Sequence, residues 1–212
     1  MTRLGILLSG RGSNFLAIAD AISRGKLENS EISVVISNRA EAPGIAAARA
    51  RGLATQVIET RGRKRVEQDL ETISCLREHG VELVCLAGYM RLLSPEFVIA
   101  FPRAILNIHP SLLPAFPGLD AQFQALEYGV AITGCTVHFV DEELDHGPIV
   151  LQRAVPVLGD DDESTLSARI LEQEHIAYPE AIARVLSGHY DFAGRRYALR
   201  ASPNANAPEE VR

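Results

Sequence analysis

Leu4-Gly5-Ile6-Leu7-Leu8-Ser9-Gly10-Arg11-Gly12-Ser13-Asn14, running on into Phe15-Leu16-Ala17-Ile18-Ala19-Asp20-Ala21-Ile22-Ser23-Arg24, is the stretch that decides the fold. An apolar run breaks at a glycine-rich turn and then resumes with helical period. Phe15, Ile18, Ala19 and Ile22 share one face, and Gly25 marks the stop. This is strand, tight loop, helix. The unit recurs outward along the chain: a strand at residues 32–37, a small helix opened by Pro43-Gly44 and ended at Gly52, and a short strand at 55–58. A longer helix at 65–79 is predicted to turn Val66, Leu70, Ile73 and Leu76 inward, with Gly80 as its cap, before a strand at 83–87. Strands alternating with helices imply a parallel sheet covered on both faces. The expected fold is therefore α/β, an open, twisted, mostly parallel sheet whose first half is Rossmann-like. Residues 104–106 read as another buried strand and 121–128 as a helix. Two strand-like runs at 135–140 and 149–157 read as antiparallel neighbours, and a helix follows at 164–186. The chain reads as one domain over residues 1–212, in halves of about 1–103 and 104–200. The tail from about residue 202, rich in Ala, Asn and Pro, is expected to be flexible.

With 212 residues, 47% of them hydrophobic, the chain can bury a full core. A net charge of −6 argues against a general nucleic-acid binder, which needs a basic face, and directs attention to small-molecule partners. Cys75, Cys85 and Cys135 are odd in number and sit in apolar periodic segments, so buried thiols in a reducing compartment are expected rather than disulfides. No run of about 18 apolar residues suggests a membrane span, and no export signal opens the chain, so a cytoplasmic location is expected. Monomer and homodimer are both open.

Four loops carry chemistry. In residues 9–14, Gly10 and Gly12 let main-chain N–H groups approach an anion at a helix start, where Ser13 and Asn14 can cap the helix or bond phosphate oxygens. A dinucleotide site would want a third glycine where Phe15 stands and an acid where Ser37, Asn38 and Arg39 stand, so a phosphate monoester fits better. The turn could also do no more than cap a helix. Gly88-Tyr89-Met90-Arg91-Leu92-Leu93 follows a strand end, where open α/β sheets bind ligands, and its apolar residues suit either a core or a wall for a flat heteroaromatic group. Asn107-Ile108-His109-Pro110-Ser111-Leu112-Leu113-Pro114 cannot be helical at its prolines, which puts Asn107 and His109 at a strand end on the same side. An amide donor beside an imidazole suits acyl transfer to nitrogen, one group holding an oxyanion and the other moving a proton. Asp141-Glu142-Glu143-Leu144-Asp145-His146-Gly147-Pro148 is an acidic turn, ordinarily solvated, from which Asp145 can reach inward to an imidazole and favour its protonated form.

Taken together, these segments, with Pro117-Gly118 and residues 134–140, resemble the phosphoribosylglycinamide formyltransferases, folate-dependent enzymes of purine biosynthesis. The Asn-Ile-His-Pro-Ser segment with a downstream Asp resembles formyl enzymes in general; the Ser-Gly-Arg-Gly-Ser-Asn loop resembles the ribonucleotide phosphate site. The resemblance implies a formyltransferase-type sheet and two small-molecule partners, glycinamide ribonucleotide and 10-formyltetrahydrofolate. Gly12, Ser13 and Asn14 would hold the phosphate, and Glu174 would contact the glycinamide. Arg63, Met90, Arg91, Leu92, Leu93, Asn107, Asp141 and Asp145 would meet the folate. Asn107, His109 and Asp145 would be catalytic, with no metal and no covalent intermediate. The chain departs from the family pattern at Asp120, where a histidine or lysine is usual, and at His146, where a glycine is common and which either competes with His109 for Asp145 or faces solvent.

Three rivals use the same residues differently. A deformylase would direct water rather than an amine at the formyl carbon. A regulatory module would bind NADPH, with Arg39 on the 2′-phosphate. A zinc hydrolase would need His138, Asp145 and His146 to converge on a metal.

Overall fold

The computed structural model describes residues 1–60 and 62–200; the predicted flexible tail lies outside the described residues. Seven strands form one sheet in the order β3-β2-β1-β4-β5-β6-β7. In chain order these are β1 (Thr2–Leu8), β2 (Ser30–Ser37), β3 (Thr55–Val57), β4 (Leu83–Leu86), β5 (Ile105–His109), β6 (Ile132–Phe139) and β7 (Ile149–Pro156). The first five run parallel and β6 runs antiparallel to both its neighbours, so the sheet is mostly parallel, as the alternation predicts. β1 is central: the chain moves outward to β2 and β3 on one side, then returns to β4 and β5 on the other. The order therefore switches direction between β1 and β4, and in open sheets of this kind a ligand crevice lies beyond the carboxyl ends of the strands at such a switch.

The two faces of the sheet carry separate cores. Leu4, Ile6 and Leu8 point to a layer with Phe15, Ile45, Ile170 and Tyr178, contributed by helices α1 (Ser13–Ser23), α2 (Pro43–Ala50) and α6 (Glu163–Leu186). Leu7, Val34 and Ile36 point the other way, to Ile73, Leu76, Phe97 and Phe101 of α3 (Arg65–Glu78) and the segment containing α4 (Pro95–Ala100). Among the described residues α5 (Ala121–Tyr128) is the remaining helix. Strand alternation thus supplies both layers from one sequence run.

Several expectations change. Ile73 and Leu76 are buried, but Val66 and Leu70 are exposed, because α3 is rotated to bury Gln68, Asp69 and Thr72. Asn107 and His109 sit at the end of β5 as expected, but the strand is longer than residues 104–106, because pairing with β6 carries it through Asn107 to His109. Cys85 and Cys135 are buried, whereas Cys75 is half-buried on α3. The short α4 and a terminal hairpin, β8 (Tyr190–Ala193) with β9 (Arg196–Leu199), were not predicted; Phe192 and Tyr197 of the hairpin pack on Phe139. Among the described residues no helix is long and apolar enough to cross a membrane.

Candidate active site

The crevice has a floor of main chain. Gly12, at φ +73°, is the N-cap residue of α1, and a Cβ there would lie 3.0 Å from the Gly44 Cα, so only glycine sits without strain. No side chain caps α1. Ser13 opens the helix, while Asn14 turns away from capping: its Nδ2 donates to Glu174 Oε2 at 2.7 Å, a buried bond across two helices. Burial raises the Glu174 carboxyl above its ordinary range, and the Asn14 hydrogen bond only partly offsets this. One turn later on the same face of α6, Tyr178 donates to the carbonyls of Leu86 and Leu106 at 3.0 and 2.9 Å. That bond anchors α6, and Glu174 with it, to the ends of β4 and β5.

The loop after β4 is stitched to the loop after β1. The Ser9 N–H donates to the Gly88 carbonyl at 3.0 Å and the Met90 N–H donates to Ser9 Oγ at 2.9 Å. Met90 and Leu92 then stand exposed, 69% and 55%, an apolar rim rather than core, while Leu93 packs inward. Arg91 is half-buried with its Nε unpartnered. Arg63 lies in the exposed turn before α3, where it pairs with Glu71 at 2.6 Å.

The wall of the crevice is made of side chains. Antiparallel pairing puts Asn107 opposite His138. His138 is buried, and that burial lowers its pKa, so the ring is neutral at neutral pH. Its Nδ1–H donates to the Phe139 carbonyl at 2.8 Å, which leaves Nε2 as a lone pair facing Asn107 Nδ2 at 3.2 Å. The Asn107 amide is thereby oriented as a donor, with its second N–H unclaimed by this bond. On the other side, His109 holds Nε2 2.8 Å from the Phe116 carbonyl and Nδ1 3.4 Å from Asp145 Oδ2. Both ring nitrogens thus face acceptors.

Asp145 is itself held in place. It sits at φ +50°, a left-handed conformation that Asp tolerates better than most residues, and its Oδ2 accepts the Gly118 N–H at 2.8 Å. Its Oδ1 lies 3.7 Å from His138 Nε2. Gly147 lets the loop turn back: a Cβ there would meet the Phe139 carbonyl oxygen at 1.9 Å. Asn107, His109 and Asp145 therefore converge as expected, and His138 joins them. From sequence His138 enters only the zinc alternative, because its register against Asn107 is set by strand pairing.

Two departures are resolved by geometry. His146 neither competes for Asp145 nor faces solvent alone: its Nδ1 lies 2.9 Å from Asp141 Oδ2, and Arg195 of the terminal hairpin donates to the His146 carbonyl at 2.6 Å. The zinc alternative loses its third ligand by the same contact. Asp120, exposed and at φ +56°, is the N-cap residue of α5 without a side-chain cap bond. Arg39, the residue the NADPH alternative needs, is exposed and paired with Glu41 at 3.1 Å.

A family model described as formyl transferase matches residues 2–182. The phosphoribosylglycinamide formyltransferase of Escherichia coli (strain K12) is 44% identical over 184 residues, 86% of this chain and 86% of that protein. The trifunctional purine biosynthetic protein adenosine-3 of Homo sapiens is 47% identical over 187 residues, 88% of this chain, which spans only 18% of that much longer protein. Among solved structures, glycinamide ribonucleotide transformylase 1 from Symbiobacterium toebii superposes with a TM-score of 0.91 at 49% identity, covering 94% of each chain.

Proposed function

The chain belongs to the formyl transferase family, and from that premise we propose that it is a phosphoribosylglycinamide formyltransferase. It transfers the formyl group of 10-formyltetrahydrofolate to the amine of N1-(5-phospho-D-ribosyl)glycinamide, giving the N-formyl product and tetrahydrofolate in purine biosynthesis. The observation that carries the proposal is the meeting of two different sites: a glycine-built anion cradle at the end of β1, and the Asn107–His138–Asp145–His109 strip two strands away.

In this reading the first half of the sheet holds the ribonucleotide, its phosphate on Gly12, Ser13 and Asn14, with Glu174 directed at the glycinamide. The folate enters between the 88–93 loop and the 141–145 turn, with Met90, Leu92 and Leu93 against the heterocycle and Arg91, Arg63 and Asp141 on its polar edges. The amine attacks the formyl carbon, and the carbonyl π pair moves onto oxygen. The free Asn107 N–H and His109 receive that oxyanion; a single donor of this kind supplies about 2.7–4 kcal/mol of transition-state stabilisation. The C–N bond to folate then breaks as His109 protonates the departing nitrogen, and Asp145 assists removal of the proton the attacking amine must lose. Approximation of two bound substrates supplies a further ~7–11 kcal/mol at most. None of these steps calls for a metal. We place the enzyme in the cytoplasm, as a monomer or homodimer with no nucleic-acid partner.

The test is absorbance-monitored release of tetrahydrofolate from 10-formyltetrahydrofolate with and without the ribonucleotide, with mass analysis of the product. Release only with the ribonucleotide, and a formylated product, is expected. Release without it would mean a deformylase, and silence in both would return the chain to a binding role.

A further inference from the structure

Helix α3 buries the wrong residues for a helix read by its apolar period. Gln68, Asp69 and Thr72 are each 1% exposed, while Val66 and Leu70 are 38% and 52% exposed. A helix gives up apolar burial for a polar face only where that face has partners. Thr72 bonds within its own helix, to the Gln68 carbonyl. The other two both reach the loop after β4, and Gln68 also reaches the end of β3. Gln68 Nε2 donates to the Tyr89 hydroxyl at 3.0 Å and to the Ile58 carbonyl at 3.3 Å, and Asp69 Oδ2 accepts the Ser94 N–H at 2.6 Å.

Tyr89 and Ser94 bracket residues 90–93, so two adjacent side chains of α3 grip both ends of that segment, while Ser9 holds its Met90 N–H from the opposite side. Among the described residues Asp69 Oδ1 has no partner, so the Ser94 N–H is the bond that places this buried side chain. Desolvation in turn raises the Tyr89 hydroxyl to about 12, which keeps it a neutral O–H able to accept from Gln68.

We propose that Asp69, seconded by Gln68, is a positioning residue for the folate co-substrate: it fixes the shape of residues 90–93 without touching the ligand. The inference rests on the folate-binding reading of that loop given above. It predicts a selective effect, since the anion cradle at residues 10–14 is held by other bonds.

The experiment compares Asp69→Ala, Asp69→Asn and Tyr89→Phe. Asn keeps an oxygen for the Ser94 N–H; Phe removes only the hydroxyl that Gln68 grips. Asp69→Ala should raise KM for 10-formyltetrahydrofolate about tenfold or more, with KM for the ribonucleotide unchanged, since misplacing a binding element by about 1 Å costs this much or more. Asp69→Asn should recover most of the loss, and Tyr89→Phe should raise the folate KM about threefold. Should Asp69→Ala not fold, the Tyr89→Phe shift decides alone. Equal rises in both KM values, or a lowered melting temperature with unchanged constants, would overturn the proposal in favour of a purely structural role. Hydrogen exchange at the 89–94 amides needs no substrate: faster exchange in Asp69→Ala supports the clamp and unchanged exchange refutes it, even if the wild-type enzyme proves not to use the ribonucleotide.

Discussion

The crevice is built in two ways. Between β1 and β4 it is main chain: a glycine at a helix start and two loops tied by N–H to carbonyl and N–H to hydroxyl bonds. Between β5 and β6 it is side chain: an amide, two imidazoles and a carboxylate, each fixed by a neighbour in the strip or by a main-chain group. A main-chain site binds an anion through groups that every residue owns, so it resists side-chain truncation and fails when the backbone is forced. A side-chain wall does the reverse: its backbone is secured by strand pairing, and each functional atom can be removed singly. Binding and chemistry should therefore separate under mutation.

The largest separation is expected from Asp145→Asn. The amide can still accept the Gly118 N–H, so the turn keeps its shape while the charge beside His109 is lost. kcat should fall by ~10²–10⁴, the range for a positioned proton-transfer group. Ribonucleotide affinity by calorimetry should hold; a parallel loss would mean that the wall also carries binding. Next comes His138→Phe, which removes the lone pair that orients Asn107. It should lower kcat about tenfold or more through loss of an aligned donor, with both KM values little changed. A kcat equal to wild type would detach His138 from the reaction.

The floor is tested by Gly12→Ala. At φ +73°, with the Gly44 Cα in the way, the substitution should cost about 1–2 kcal/mol in stability from the left-handed backbone alone. It should raise KM for the ribonucleotide and spare kcat at saturation. A change in kcat without one in KM would contradict the assignment of the floor to binding.

The smallest effect is a pH dependence. Burial holds the Glu174 carboxyl above its ordinary range, so the native state keeps this proton at pH values where the unfolded chain has released it. Fewer protons on the unfolded state make stability fall as pH rises, from the ordinary Glu range up through the raised native value. Glu174→Gln, which can still accept from Asn14, should flatten that slope. Melting curves across mildly acidic to neutral pH that fall equally in both proteins would place the dependence elsewhere.

The same contrast sets what can be read from the chain alone. The floor is legible because its signals are local: an apolar run, two glycines and a helical period within residues 4–24 announce the strand, the tight turn and the helix. Asn107 and His109 are legible because they are two residues apart in one strand. His138 is not, because its meaning depends on which residue of β5 it faces, and the β5–β6 register is a tertiary fact. α3 misleads for a related reason. Val66 and Leu70 fit the helical period with Ile73, yet Gln68 and Asp69 find buried partners in a loop some twenty residues away, and those bonds decide the rotation. The hairpin β8–β9 has strands of only four residues each, and its place is set by tertiary contacts, Phe192 and Tyr197 against Phe139 and Arg195 on the His146 carbonyl.

The most direct measurement is made on His109→Ala: ribonucleotide affinity by calorimetry and formyl transfer in a single turnover, in the same preparation. Wild-type affinity is expected, with transfer slowed by about two orders of magnitude or more. Transfer at the wild-type rate, or affinity lost along with it, would contradict the division between a main-chain floor that binds and a side-chain wall that reacts.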